Sequence, residues 1–200
     1  MIGGCVALLS LGALGGTGRA QSAAPQEVVR DFNAVLLKAM QQGPTLGARG
    51  RYQLLASAIH QDFDLPAMAR LAVGVAWTKL TPQQQQDLTD AFARYTAATY
   101  AQNFDSYSGE TFDVTGQRKT SFGTIVLSQI VKSDGEPVEI DYLLHDVAGA
   151  WRVGDIYLTG TISQVANLRS QFGAILARQG VGGLIATLNS KADMLVASAR

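Results

Sequence analysis

Few side chains in this sequence are of types that could do covalent chemistry, and their spacing decides what they can be. His60, Asp62 and Asp64 fall within five positions and suggest a metal or acid–base site. Their spacing fits no ligand motif, and Asp64 precedes Leu65-Pro66 where a helix N-cap is expected, so no metal is expected there. His145-Asp146 stands at a strand end, where solvent is the default environment. Asp155 interrupts an apolar strand and Arg169 interrupts an apolar helix. Arg169 could bind a phosphate in a guanidinium fork, or the two could form a structural ion pair; Arg70 poses the same alternatives. The serines have no Gly-x-Ser-x-Gly context, and no glycine loop is built to cradle phosphate. No catalytic residue and no cofactor are expected.

The elements that must position these groups centre on residues 137–172. Val138, Ile140, Tyr142 and Leu144 alternate with Glu139, Asp141 and Leu143, the period of a half-buried strand. Asp146 to Gly149 supplies a turn, and Trp151, Val153 and Tyr157 share a face of the next strand. From Thr161 the apolar residues Ile162, Val165, Leu168, Phe172 and Ile175 recur at helical spacing. Upstream, Phe112 and Val114 suggest one strand and 122–131 another, with Ser133-Asp134-Gly135 as the hairpin turn. Short turns between consecutive strands imply an antiparallel meander.

Helices flank this sheet on both sides in sequence. Pro25 suits a first helical turn, with Val28, Phe32, Val35, Leu36 and Ala39 as a stripe ended by Gly43-Pro44. Tyr52, Leu55 and Ile59 mark a second helix, and Met68, Leu71 and Val75 a third. Thr81-Pro82-Gln83-Gln84 is a capping box opening a helix expected to reach Tyr107, with Leu88, Phe92, Tyr95, Thr99, Tyr100 and Phe104 along it. Gly180 is placed as a C-cap before a final helix with Leu184, Leu188 and Ala192 on its buried side. Helices, then four strands, then helices make an α+β fold.

Composition narrows the partner classes. Hydrophobic residues make up 47% of the 200 residues and charged residues 16%, and 16 basic side chains balance 16 acidic ones. No basic run stands above that background, which argues against nucleic acid. Residues 2–16 are apolar or small, and Gly18-Arg19-Ala20 resembles a signal cleavage site, so 1–20 is read as a signal peptide and 21–200 as a single domain. The apolar run is shorter than the ~20 residues that span a bilayer, although an uncleaved anchor is the alternative. No Lys or Arg precedes it, a departure from the usual signal pattern. Without the leader, and with it Cys5, the chain holds no cysteine and can enter an oxidising compartment without disulfide risk.

Four stretches resemble the periplasmic lipid-binding proteins of the toluene-tolerance type, the MlaC family, including hopanoid-associated relatives. They are FDLPAMARLAVGVAW from Phe63, LTPQQQQDLTDAFARYTAATYAQNFDSY from Leu80, VEIDYLLHDVAGAWRVGDIYLTG from Val138 and ISQVANLRSQFGAILARQGVGGLIATLNSK from Ile162. Asn167 and the Gly182-Gly183 pair depart from the pattern. The resemblance implies a curved antiparallel sheet of about four strands against surrounding helices, an NTF2-like cone around an apolar lipid cavity. It implies a periplasmic carrier, monomeric, that shuttles phospholipid or hopanoid between an inner-membrane ABC-transporter complex and an outer-membrane lipoprotein complex. No cofactor and no catalysis are implied. Apolar walls are then the essential chemistry. The expected lining is Phe92, Tyr95, Tyr100 and Phe104 from the long helix, then Val114, Ile125, Leu127, Ile140, Tyr142, Trp151 and Val153 from the sheet. Val165, Arg169 and Phe172 close it, Arg169 near the headgroup. Two rivals remain: an NTF2-like enzyme using Asp155 as a buried acid or base, and an adaptor with a solid core.

Overall fold

The computed structural model describes residues 24–198, so the expected leader lies outside the described residues. Five α-helices surround one antiparallel sheet. The helices are α1 (Pro25–Gln41), α2 (Gly43–Asp62), α3 (Leu65–Val73), α4 (Pro82–Asn103) and α5 (Gln164–Ser198), with a 3-10 turn at Gly74–Lys79. The strands are β1 (Thr111–Thr120), β2 (Gly123–Val131), β3 (Pro137–Val147), β4 (Ala150–Leu158) and β5 (Ile162–Ser163), in spatial order 1-2-3-4-5. Among the described residues no helix is long and apolar enough to cross a membrane.

Local chemistry explains most boundaries. Thr81 Oγ1 accepts from Gln84 N while Gln84 Oε1 accepts from Thr81 N, the reciprocal capping box that starts α4. Asp64 Oδ1 accepts from Ala67 N and opens α3. Asp146 Oδ1 accepts from Gly149 N at 2.7 Å, and Ala148 and Gly149 take positive φ in the β3–β4 turn. Two expectations need correction. A fifth strand, β5, pairs Ile162 with Leu158 and Ser163 with Tyr157; two residues are too few to show a period. Helix α4 ends at Asn103 rather than near Tyr107, because Phe104 leaves helical geometry at φ −116°, ψ 55°. Helix α5 breaks at Gly180, where φ 66° and ψ −172° belong to a region that essentially only glycine occupies.

The core lies between the inner face of the sheet and the helices. Phe32, Leu36, Leu55, Ile59, Leu88, Leu144, Val153, Leu184 and Leu188 are all fully buried there. Aromatic rings run through it: Phe32 touches Phe63, Tyr100 and Tyr142 at centroid distances of 4.9, 5.6 and 6.1 Å.

Candidate functional site, an apolar cavity between sheet and helices

The inner face of β3 and β4 changes character along its length. Register pairs Leu144 with Val153, Tyr142 with Ile156, and Ile140 with Leu158. The first pair is sealed in the core, whereas Leu158 reaches solvent at 37% exposure. Between the second and third pairs and the helices lies a cavity of about 250 Å³. Helix α4 contributes Phe92, Tyr95, Thr96, Thr99, Tyr100 and Asn103, positions three and four apart that share one helix face, with Phe104 at its end. Helix α5 contributes Gln164, Val165, Asn167, Leu168 and Gln171 on the same principle, and Met68 comes from α3.

The lining is apolar with uncharged polar side chains: Thr96, Thr99, Asn103, Gln164, Asn167 and Gln171 carry hydroxyls and amides, and no lining residue is Lys, Arg, Asp, Glu or His. Its only titratable groups are three tyrosines. Burial pushes the hydroxyls of Tyr100 and Tyr142 above the ordinary tyrosine range, so both stay neutral. Tyr142 donates its hydroxyl hydrogen to Asn33 Oδ1, and Asn33 Nδ2 donates to Ser128 Oγ, a polar chain tying β3 to α1 and β2.

The side chains of acid–base type are placed elsewhere. Asp155 Oδ1 accepts from Ile156 N at 2.8 Å and Val165 N at 3.1 Å, and Oδ2 from the Ser163 hydroxyl at 2.5 Å. It therefore caps the start of α5 and lies outside the cavity lining. Asp64 bonds His145 Nε2 at 2.8 Å, and its backbone N–H donates to Val153 O, stapling the α2–α3 elbow to β4. Burial raises the Asp62 carboxyl to about 6, against the opposing pull of Arg152. Among the described residues no group of three or more His, Cys, Asp and Glu could hold a metal. His60 and Arg70 are exposed.

Two comparisons bear on this geometry. The family described as MlaC protein matches residues 30–190, most of the chain. The chain belongs to the MlaC protein family. Its fold is also similar to that of the phospholipid-binding protein from Ralstonia solanacearum, solved in complex with a phospholipid. That similarity has a TM-score of 0.75 at 26% identity over 86% of this chain and 99% of that one.

For a MlaC family member, the placement of the fourteen residues expected to line the site divides evenly. Phe92, Tyr95, Tyr100, Phe104, Ile140, Tyr142 and Val165 line the cavity. The other seven do not. Val126 pairs with Tyr142 on the inner face, so Ile125 and Leu127 point to the opposite face of β2. Val153 is sealed in the core row, and Trp151 lies further along β4. Val114 borders a separate hollow with Arg30, Asn33, Ala34, Leu37 and Phe112. Phe172 sits behind the wall, edge-on to Phe92 at 6.5 Å. Arg169 is exposed and rests on Gly74, where a Cβ would come within 2.8 Å of its guanidinium. Neither the Asp155–Arg169 ion pair nor a place for Arg169 in the cavity is found. Sequence reasoning missed Met68, Ile156, Leu158, Leu168 and all six uncharged polar residues. Thr96, Thr99, Asn103 and Leu168 lie one helical turn from residues it chose, and that spacing was the available signal.

Proposed function

We propose that this chain is a carrier that sheathes lipid tails in the α4–α5 cavity and leaves the headgroup at its uncharged rim. One observation carries the reading: an apolar hollow free of charged side chains, on the fold of a protein solved with a phospholipid bound. Covering hydrocarbon stabilises by about 0.8 kcal/mol per CH2, so a sixteen-carbon tail is worth roughly 12 kcal/mol. Apolar walls alone therefore supply the affinity, and the amides and hydroxyls of the rim suit the ester, hydroxyl and phosphate oxygens of a headgroup. At about 250 Å³ the cavity is below the ~300–1,000 Å³ of sites that enclose drug-sized ligands. A two-tailed lipid thus enters only as the walls part. The first half of α5, broken from the rest at Gly180 and burying Val165 and Phe172, is in this reading the wall that moves.

The cargo in this reading is a phospholipid, with a hopanoid as the second candidate. The setting is the periplasm, reached by way of the leader at 1–20, and the chain works as a monomer between an inner-membrane transporter complex and an outer-membrane lipoprotein complex. Native mass spectrometry with lipid extraction, on protein purified from cells, tests the central claim. Co-purifying lipid, or uptake from liposomes, is expected. Recovery of lipid-free protein that takes nothing from liposomes would overturn it.

A further inference from the structure

The cavity has an inner end, and its composition is unusual. Along β3 the rows run from Ile140–Leu158 near solvent, through Tyr142–Ile156, to the sealed Leu144–Val153 pair. Tyr142 is thus the last cavity-lining residue before the packed core, and it is 1% exposed. Its ring is held from two directions. Phe32 packs edge-on at 6.1 Å, and the hydroxyl donates to buried Asn33, which in turn donates to Ser128. Beside it, across the sheet toward β1, lies a second hollow of about 200 Å³, which has Asn33, Phe112 and Val114 in its walls. The two spaces share one partition: Tyr142 faces the first and bonds to Asn33 of the second. Phe104 of the first likewise lies 6.2 Å from Phe112 of the second.

We infer that Tyr142, locked by Asn33 and Ser128, is the end-stop that sets the longest lipid tail the cavity accepts. The inference rests on the lipid-carrier reading. A tail entering past Leu158 runs along Ile140 and Ile156 and meets the tyrosine ring. To go further it must displace that ring, which would leave the tyrosine hydroxyl and Asn33 Oδ1 buried without each other as partners. Such a loss is much larger than the gain from covering one more methylene. A leucine or phenylalanine in the same place would have no such tether and could swing aside. The polar chain thus makes a rigid stop out of a side chain whose ring is otherwise compatible with hydrocarbon.

The experiment offers the full chain vesicles of phosphatidylglycerol whose saturated tails have graded lengths in equal amounts. Retained lipid is then read by native mass spectrometry and extraction. The wild type is expected to take up lipid with an upper limit in tail length. Tyr142→Ala joins the two hollows and moves that limit to longer tails, with each newly covered methylene favoured about fourfold. Adding Val114→Trp to Tyr142→Ala plugs the second hollow and restores the wild-type limit. If Tyr142→Ala does not fold, Tyr142→Leu makes the same test, since it opens the partition while keeping an apolar side chain. A merely structural role for the polar chain would lower the melting temperature and leave the length distribution unmoved, which would overturn the end-stop. Uptake by the wild type with no length limit would overturn it as well. Failure of the wild type to take any lipid would instead overturn the carrier reading itself.

Discussion

Asp155 allows the start of the α5 wall to be tested quantitatively, because its two oxygens have different partners. Oδ1 accepts two backbone N–H groups, Ile156 and Val165, while Oδ2 faces a hydroxyl on Ser163. In Asp155→Asn, Oδ1 is retained and the new amide can donate to Ser163 Oγ, since a hydroxyl accepts as well as donates. What is lost is the negative charge at the positive end of α5, about 1 kcal/mol and at most ~2. In Asp155→Ala, two buried N–H groups lose their acceptor at ~1–3 kcal/mol each, or about 4 kcal/mol together. At ~2–4 °C per kcal/mol for a chain of this size, the melting temperature should fall by about 2–8 °C for Asn and about 8–16 °C for Ala. Thermal unfolding followed by far-UV circular dichroism measures both. Lipid retention should follow the same order, because Val165 and Leu168 on the first turns of α5 line the cavity. Equal falls for Asn and Ala, or none for either, would refute the capping role. Unchanged melting in Asp155→Asn with complete loss of a turnover would return the residue to acid–base chemistry.

Leu168→Trp fills the cavity from the α5 side and is expected to cut retained lipid several-fold with no loss of melting temperature; extraction and circular dichroism check both. Gly180→Ala forces a side chain into φ 66°, ψ −172°, with nothing within 4 Å of the new methyl, so the cost is conformational alone, ~1–3 kcal/mol in denaturant unfolding. Asp62 titrates near 6 when folded and from 3.8 otherwise, so the folded state holds the extra proton between those values. Stability from this group is complete below pH 3.8 and is lost as pH rises through about 6. Asp62→Asn should therefore stabilise by about 1 kcal/mol at pH 7.5, allowing for the solvent the carboxyl still sees, and by nothing at pH 3.5.

Where the sequence was legible, a local chemical reason stood behind it. The Thr81–Gln84 capping box, the Asp64 cap, the turns at Asp134-Gly135 and Asp146–Gly149 and the break at Gly180 each depend on residues a few positions apart. Helix α4 gave away its cavity-facing side because aromatic residues are spaced along one face. Strand β2 did not. Its run Ile125-Val126-Leu127 is apolar on both faces, and the polar residues that face inward, Thr124 and Ser128, are small and buried, Ser128 being satisfied by Asn33 at a separation of 95 residues. A period of two then assigns the strand to the wrong side, and Ile125 and Leu127 follow it. Asp155 failed for a related reason: its partners at 163 and 165 arrive through the β5 turn, which no periodicity marks.

The hollow itself sits at the boundary between these two regimes. Leu144 and Ile140 belong to the same alternation on β3, yet one is sealed against Val153 and the other borders open space. Nothing in their side chains distinguishes them. The difference arises because Met68, Phe92 and Val165 approach from three separate helices and stop short of closing over Ile140, and their meeting point is set by the tertiary packing of α3, α4 and α5. Polar residues fare better as signals, since a buried one must find a partner. Tyr142 is the case in point: an inward-facing hydroxyl in an apolar row requires an acceptor behind it, and Asn33 on α1 is the one the fold supplies. A tethered ring at the end of an untethered apolar corridor is what distinguishes a measured cavity from a packing defect, and that distinction can be tested one side chain at a time.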